Sequence, residues 1–210
     1  MGVPLERFLK KRIQLELARL QDEAMDIVLD LDNDVVFHGG TCIWRCYNGK
    51  RFSEDLDFYS TKINLERFSE EVSKRGLLVT KFRKTENSIF SKISNNLVEV
   101  SIEFALRKVK GTLVDYEKTN GEKIMVNALS KQELILEKAR AFSSRKLVRD
   151  IYDVYFLTAN CDLSNIRKEP LESINSWGQP VDEKNLKALI YSGIIPSYKE
   201  MLDMIRKRVL

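Results

Sequence analysis

Two adjacent glycines, Gly39 and Gly40, end a short apolar run and open a segment that can be helical. Val35-Val36-Phe37 reads as a buried strand. The glycines permit a turn that side chains would crowd, and they let backbone approach a ligand closely. A helix over Thr41 to Tyr47 would point its first N–H groups back at that turn, where they favour an anion. Asp55 and Asp57 follow, in the run Asp55-Leu56-Asp57-Phe58-Tyr59. Residues two apart on a strand share one face. Both carboxylates are therefore expected to point one way while Leu56 and Phe58 enter the core.

A phosphate-binding turn beside two carboxylates on one face is what metal-dependent phosphoryl or nucleotidyl transfer needs. Carboxylate oxygens hold Mg²⁺, which neutralises phosphate charge and activates an attacking oxygen. A Gly-Gly turn or an acidic strand end is common by itself. The two together, with Ser53 between them, favour the functional reading. Gly39-Gly40-Thr41, followed by Arg51-Phe52-Ser53-Glu54-Asp55-Leu56-Asp57-Phe58, resembles the signature of the DNA-polymerase-beta-type nucleotidyltransferase superfamily. More narrowly, it is similar to the AbiEii-type nucleotidyltransferase toxins.

A second island, with Lys138, Arg145 and the run Arg149-Asp150-Ile151-Tyr152-Asp153-Val154-Tyr155, resembles the same family's helical motif. An ammonium on a helix can swing toward triphosphate oxygens as a point charge, which is the role expected of Lys138. Arg145 and Arg149 can add to that attraction or pair with Asp150 and Asp153. Those two aspartates are three apart and share one helical face. One of them could take a proton from an attacking hydroxyl or lock Lys138 in place.

A third carboxylate is expected from the run Leu97 to Phe104. There Val98, Val100, Ile102 and Phe104 alternate with Glu99, Ser101 and Glu103. The resemblance places Glu99 in the metal-binding slot, and Glu103 on the same face is the alternative.

Around these islands the chain divides by element type. Leu5, Phe8, Leu9, Ile13, Leu17, Leu20, Ala24, Ile27 and Val28 recur at helical steps, predicting one amphipathic helix from Pro4 to about Asp30. Asn64 caps a helix that ends near Arg75-Gly76. Leu77 to Arg83 and Ser88 to Ile93 read as two strands. Gly111 to Gly121 reads as a loop or irregular hairpin, and Lys123 to Asn127 as one more strand. Ser130 with Glu133 three residues on is a capping box, and beyond it the patterns are helical. Mixed elements followed by helices alone predict an α+β fold. Its expected parts are a nucleotidyltransferase-type mixed sheet lobe with flanking helices over residues 1–128, and a helical lobe over 129–210 that completes the active site.

Charged residues make up 31% of the 210 residues, and no apolar run is long enough to span a bilayer. A signal peptide is also absent, so a cytoplasmic protein without membrane partners is expected. A net charge of +4 is compatible with a nucleic acid partner without requiring one. The three cysteines, Cys42, Cys46 and Cys161, with His38 as the one histidine, make no transition-metal set.

The resemblance implies a Mg²⁺-dependent enzyme, with Mn²⁺ as a substitute, that transfers a nucleoside monophosphate from a nucleoside triphosphate to an acceptor hydroxyl. Gly39, Gly40 and Thr41 would hold the triphosphate, with Arg51, Ser53 and Lys138 assisting. Asp55, Asp57 and Glu99 would bind metal, and Asp150 would join Lys138 in catalysis. It further implies an RNA acceptor, tRNA 3′ ends foremost, and a cognate antitoxin protein. A small-molecule or protein acceptor, or a non-catalytic nucleotide-binding module, is the alternative.

Overall fold

A computed structural model of the chain describes residues 3–164, 166 and 169–209. The chain forms two compact units, Met1–Cys46 with Ser53–Leu129, and Tyr47–Phe52 with Ser130–Leu210.

The first unit is built on a seven-stranded mixed sheet. Its strands are β1 (Val36–His38), β2 (Leu56–Tyr59), β3 (Leu78–Lys84), β4 (Ser88–Ser94), β5 (Glu99–Ala105), β6 (Thr112–Glu117) and β7 (Lys123–Ala128), in spatial order β3-β4-β5-β2-β1-β7-β6. The β2/β5 and β1/β7 pairs are parallel and the remaining pairs antiparallel. One face is apolar. Phe37, Phe58 and Phe104 stack in succession across neighbouring strands, with centroids 5.1 and 5.5 Å apart, and Phe68 meets Phe104 edge-on at 6.1 Å. Helix α1 (Arg12–Leu31) contributes Leu20, Ala24, Ile27 and Val28 to this core and packs against β5 and α3 (Leu65–Lys74). Helix α2 (Gly39–Tyr47) follows β1 directly.

Three local expectations need correcting. Helix α1 begins at Arg12 rather than Pro4, after a separate 3₁₀ turn at Leu5–Arg7. The Glu6 amide donates to the Thr119 carbonyl at 3.1 Å, so tertiary anchoring bends the chain away from the helix axis. Phe8 and Ile13, counted with the apolar face, are accordingly 39% and 58% exposed. The stretch from Gly111 to Gly121 contains a regular strand, β6, which pairs with β7 over Thr112–Glu117. Its solvent-facing positions hide the alternation that would have marked it.

The second unit is helical. Asn160 and Asp162 carbonyls accept from Lys131 and Gln132, which ties the start of α4 (Lys131–Arg145) to the end of α5 (Val148–Ala159). Ser130 and Glu133 form the expected capping box. Two single-turn helices, α6 (Glu169–Glu172) and α7 (Leu186–Leu189), precede α8 (Tyr198–Val209), which packs on α5. Phe142 and Trp177 meet at 4.9 Å, and the Tyr198 hydroxyl donates to the Trp177 carbonyl. The segment Tyr47–Phe52 is stitched into this unit by backbone: Phe52 N–H donates to Leu189 and Tyr191 N–H to Lys50. Among the described residues, no helix is long and apolar enough to cross a membrane.

Candidate active site

In the first unit the turn and the carboxylates meet. Gly39 has φ +78°, and a Cβ there would lie 2.2 Å from Asp57 Oδ2. Only glycine leaves room for the carboxylate against the turn. Gly40 and Thr41 continue into the first turn of α2, all buried. The Thr41 hydroxyl donates to the Asp55 carbonyl at 2.6 Å, so it holds the carboxylate loop by its backbone. Leu56 and Phe58 are fully buried, while Asp57 is half-buried and Asp55 exposed just before β2. The alternation expected of this segment is therefore present.

The Asp55 loop has a second anchor that periodicity alone did not single out. Gln21 is fully buried in α1, and its Nε2 donates to both the Ser53 and Glu54 carbonyls at 2.9 Å. Ser53 itself is half-buried in this loop. The available signal was an amide four residues after Leu17 and four before Met25, on the apolar face of an amphipathic helix. Beside it, buried Asp22 accepts from Arg45, from the Tyr116 hydroxyl and from the Thr119 amide and hydroxyl. The Arg45 guanidinium lies 4.9 Å from both the Trp44 and Tyr116 rings. Burial pushes the Tyr116 phenol up in pKa. This network ties α1 and α2 to the β6–β7 end of the sheet.

Strand register brings Glu103, and not Glu99, level with Asp57. Asp57 lies opposite His38 on β1 and opposite Glu103 on β5. Glu99 stands four residues further down β5, roughly 13 Å away at strand rise. It accepts from Lys92 at 2.6 Å and from Thr80, which hold its carboxyl below the ordinary range. On the Asp57 face, His38 stacks on Tyr59 at 3.9 Å, and the Arg107 guanidinium covers the Tyr59 ring at 4.2 Å. A cleft of 340 Å³ beyond them is lined by Tyr59, Lys62, Arg107 and Lys108 among others.

Among the described residues, no three His, Cys, Asp or Glu side chains form a ready-made metal cluster. Mg²⁺ does not require one, since it commonly takes one or two carboxylates and fills its remaining positions with water and substrate phosphate oxygens. The hard oxygens of Asp55 and Asp57, beside a turn that only glycine fits, suit that mode of binding.

In the second unit Lys138 is 6% exposed and lies 3.6 Å from Asp153 and 3.9 Å from Asp150. Both aspartates are buried. Arg51 grips Asp153 through two bonds of 2.6 Å, and Arg145 grips Asp150 through two of 2.7 Å. Arg51, expected to help position phosphate, is thus 4% exposed and committed to a carboxylate of its own unit. Burial opposes its charge, but Asp153 and Asp150 outweigh that and raise its pKa. Asp150, expected to act in catalysis, is fully buried with both oxygens bonded to Arg145. Burial also raises the pKa of Tyr152 beside this cluster.

Solved structures share this architecture. JHP933 from Helicobacter pylori superposes with a TM-score of 0.69 at 18% identity, covering 95% of this chain and 91% of that one. A putative nucleotidyltransferase from H. pylori gives 0.68 at 19%, covering 95% and 94%. MenT4, a nucleotidyltransferase toxin of Mycobacterium tuberculosis, gives 0.62 at 18%, covering 96% and 85%. A search of curated proteins found no match. The family model for the nucleotidyl transferase AbiEii toxin of type IV toxin–antitoxin systems matches residues 27–204, a span that contains the glycine turn, the carboxylate strand and the Lys138 cluster. The chain belongs to the AbiEii nucleotidyltransferase toxin family.

Proposed function

We propose that the enzyme moves a nucleoside monophosphate from a nucleoside triphosphate to a hydroxyl of RNA, a tRNA 3′ end being the foremost acceptor. The observation that carries this reading is the Asp57 carboxylate seated against Gly39, in register with Glu103. A phosphate chain entering at Gly39 and Gly40 meets the N-terminal amides of α2. Asp55 and Asp57 would hold the metal, water and phosphate oxygens completing its shell, and Glu103, in register with Asp57, would stand beside it in the place first given to Glu99. Mg²⁺ or Mn²⁺ bound there would neutralise phosphate charge and lower the pKa of the acceptor hydroxyl. Asp57 or Glu103 would take up the hydroxyl proton. The oxygen then attacks the α-phosphorus, the bond to the bridging oxygen breaks, and pyrophosphate leaves. Gln21 and Thr41 keep Asp55 in place by its backbone. Lys138 is the residue of the helical unit proposed to attract triphosphate. Each aspartate near it already has its own arginine, so its charge is not needed to neutralise them.

As a family toxin, the protein is proposed to pair with a cognate antitoxin and to act in the cytoplasm, where its RNA acceptor resides. The test is a labelling assay with Mg²⁺, each α-labelled nucleoside triphosphate and total cellular RNA, run beside Asp57→Ala. Label entering tRNA-sized RNA with the intact enzyme alone is the expected result. Pyrophosphate release only when small molecules or proteins are supplied would keep the chemistry and replace the acceptor. Nucleotide binding without turnover on any acceptor would reject the reading.

A further inference from the structure

The register of the sheet extends the carboxylate row well beyond the metal-binding residues. Arg83 on β3 pairs with Phe90 on β4, Phe90 with Glu103 on β5, Glu103 with Asp57 on β2, and Asp57 with His38 on β1. Paired residues project from the same face of a sheet, so these five side chains form one straight line across five strands. A second row runs beside it, where Lys81 pairs with Lys92 and Lys92 with Ser101. This is the face opposite the Phe37–Phe58–Phe104 core, and no alternation in any single strand reveals it.

The β3–β4 end of this line has the chemistry of a polyanion track. Lys81 and Arg83 are exposed. Neither forms an ion pair among the described residues, whereas Lys92 is engaged by Glu99. Phe90 is half-buried on an otherwise polar face, with the Lys81 ammonium 5.6 Å from its ring centroid. A large apolar ring on the solvent side of a strand buries nothing in the core. Flanked by cations, it matches a surface that stacks bases while its neighbours track phosphates. At the usual strand spacing, Phe90 lies roughly 10 Å and Arg83 roughly 14 Å from the Asp57 position. Those spans suit the nucleotides just behind a reacting end.

We infer that the β3–β4 face is the acceptor track, which binds a single-stranded RNA segment with Phe90 under a base and with Lys81 and Arg83 on its phosphates. The inference rests on the transfer reading above and adds the path by which the acceptor reaches the carboxylates. Thr80 and Lys92, both bonded to Glu99, brace the track by joining β3 and β4 to β5. That gives Glu99 a structural task in place of the metal-binding one.

The test is direct binding of a labelled single-stranded RNA of mixed sequence to the full chain across a salt series, which requires no turnover. Wild type is compared with Lys81→Gln/Arg83→Gln and with Phe90→Leu. Nucleoside triphosphate binding and thermal melting are followed alongside. The double variant should bind RNA at least about tenfold more weakly and lose roughly 1.4 from the slope of log affinity against log salt. Phe90→Leu should lose roughly tenfold with its slope unchanged. Triphosphate affinity should stay within about twofold in both. RNA affinity within about twofold of wild type in both variants overturns the inference, as does a wild-type protein that binds no RNA. Failure of the transfer reading shows separately, as absence of turnover with every acceptor.

Discussion

Asp150 and Asp153 of the helical unit are buried and each accepts two short bonds from an arginine, whereas Asp55 and Glu103 of the sheet unit are exposed. Neither Asp55 nor Glu103 forms an ion pair among the described residues. The same side-chain chemistry therefore serves opposite ends. A buried carboxylate must be neutralised from within, and once neutralised it becomes a rigid support. Carboxylates clustered at a surface repel one another and gain from a cation supplied from outside. Strong pairing thus marks the acidic residues that hold the helical unit together.

The contrast is broken most directly by removing one carboxylate from each side. Asp57→Ala should lower nucleotidyl transfer by on the order of 10³-fold or more, because the proposed metal site loses a ligand. Its fold should survive, which a cooperative melting transition checks. Asp153→Ala should instead cost about 3–5 kcal/mol in urea unfolding, since it strands Arg51 and Lys138 as buried charges. If the two variants shared one phenotype, the contrast would fail.

Gly39→Ala comes next. It combines a left-handed backbone, worth about 1–2 kcal/mol for a side chain, with a methyl group driven into Asp57. Transfer should fall on the order of 100-fold, because small misplacements of a reacting group are costly. Wild-type rates would show that Asp57 works from another position.

Lys138→Ala sharpens the comparison within the helical unit. Asp150 and Asp153 keep their arginines, so unfolding should shift by no more than about 1–2 kcal/mol while transfer slows about tenfold or more. A lost fold with an unchanged specific rate would make Lys138 structural.

The smallest effect belongs to Glu99. Its carboxyl sits below its ordinary value of 4.5 through Lys92 and Thr80. The stability it contributes is therefore fully present above about pH 4.5 and is lost as pH falls through the lowered folded value. Glu99→Gln should flatten that part of an acid unfolding curve and leave transfer unchanged. The pair is largely solvent-exposed, so the difference will be small. A large loss of transfer would return Glu99 to the metal site.

Much of this was legible along the chain because it depends on neighbours in sequence. Gly39-Gly40, the Asp55–Asp57 alternation, the Asn64 cap and the Ser130–Glu133 capping box are set by local sterics and by hydrogen bonds a few residues long. The family could also be read from these islands, and the match over residues 27–204 bears it out. Long-range pairing was not legible in the same way. Which glutamate stands level with Asp57 depended on the β2/β5 register, since Glu99 and Glu103 lie on one face of the same strand. Gln21 looked like an amide in an amphipathic helix until the Ser53 and Glu54 carbonyls were seen to depend on it. Arg51 read as a site residue because it opens the run that resembles the family signature, yet the chain between it and Asp55 passes from one unit to the other.

The sequence by itself determined which residue types stand at the turn, on the strand and along the helices, because backbone sterics and side-chain periodicity act over a few residues. Only the tertiary structure decided which carboxylates are neutralised within the fold and which face outward in one row. Charge pairing and cross-strand register join residues scores of positions apart, and no local preference encodes that distance.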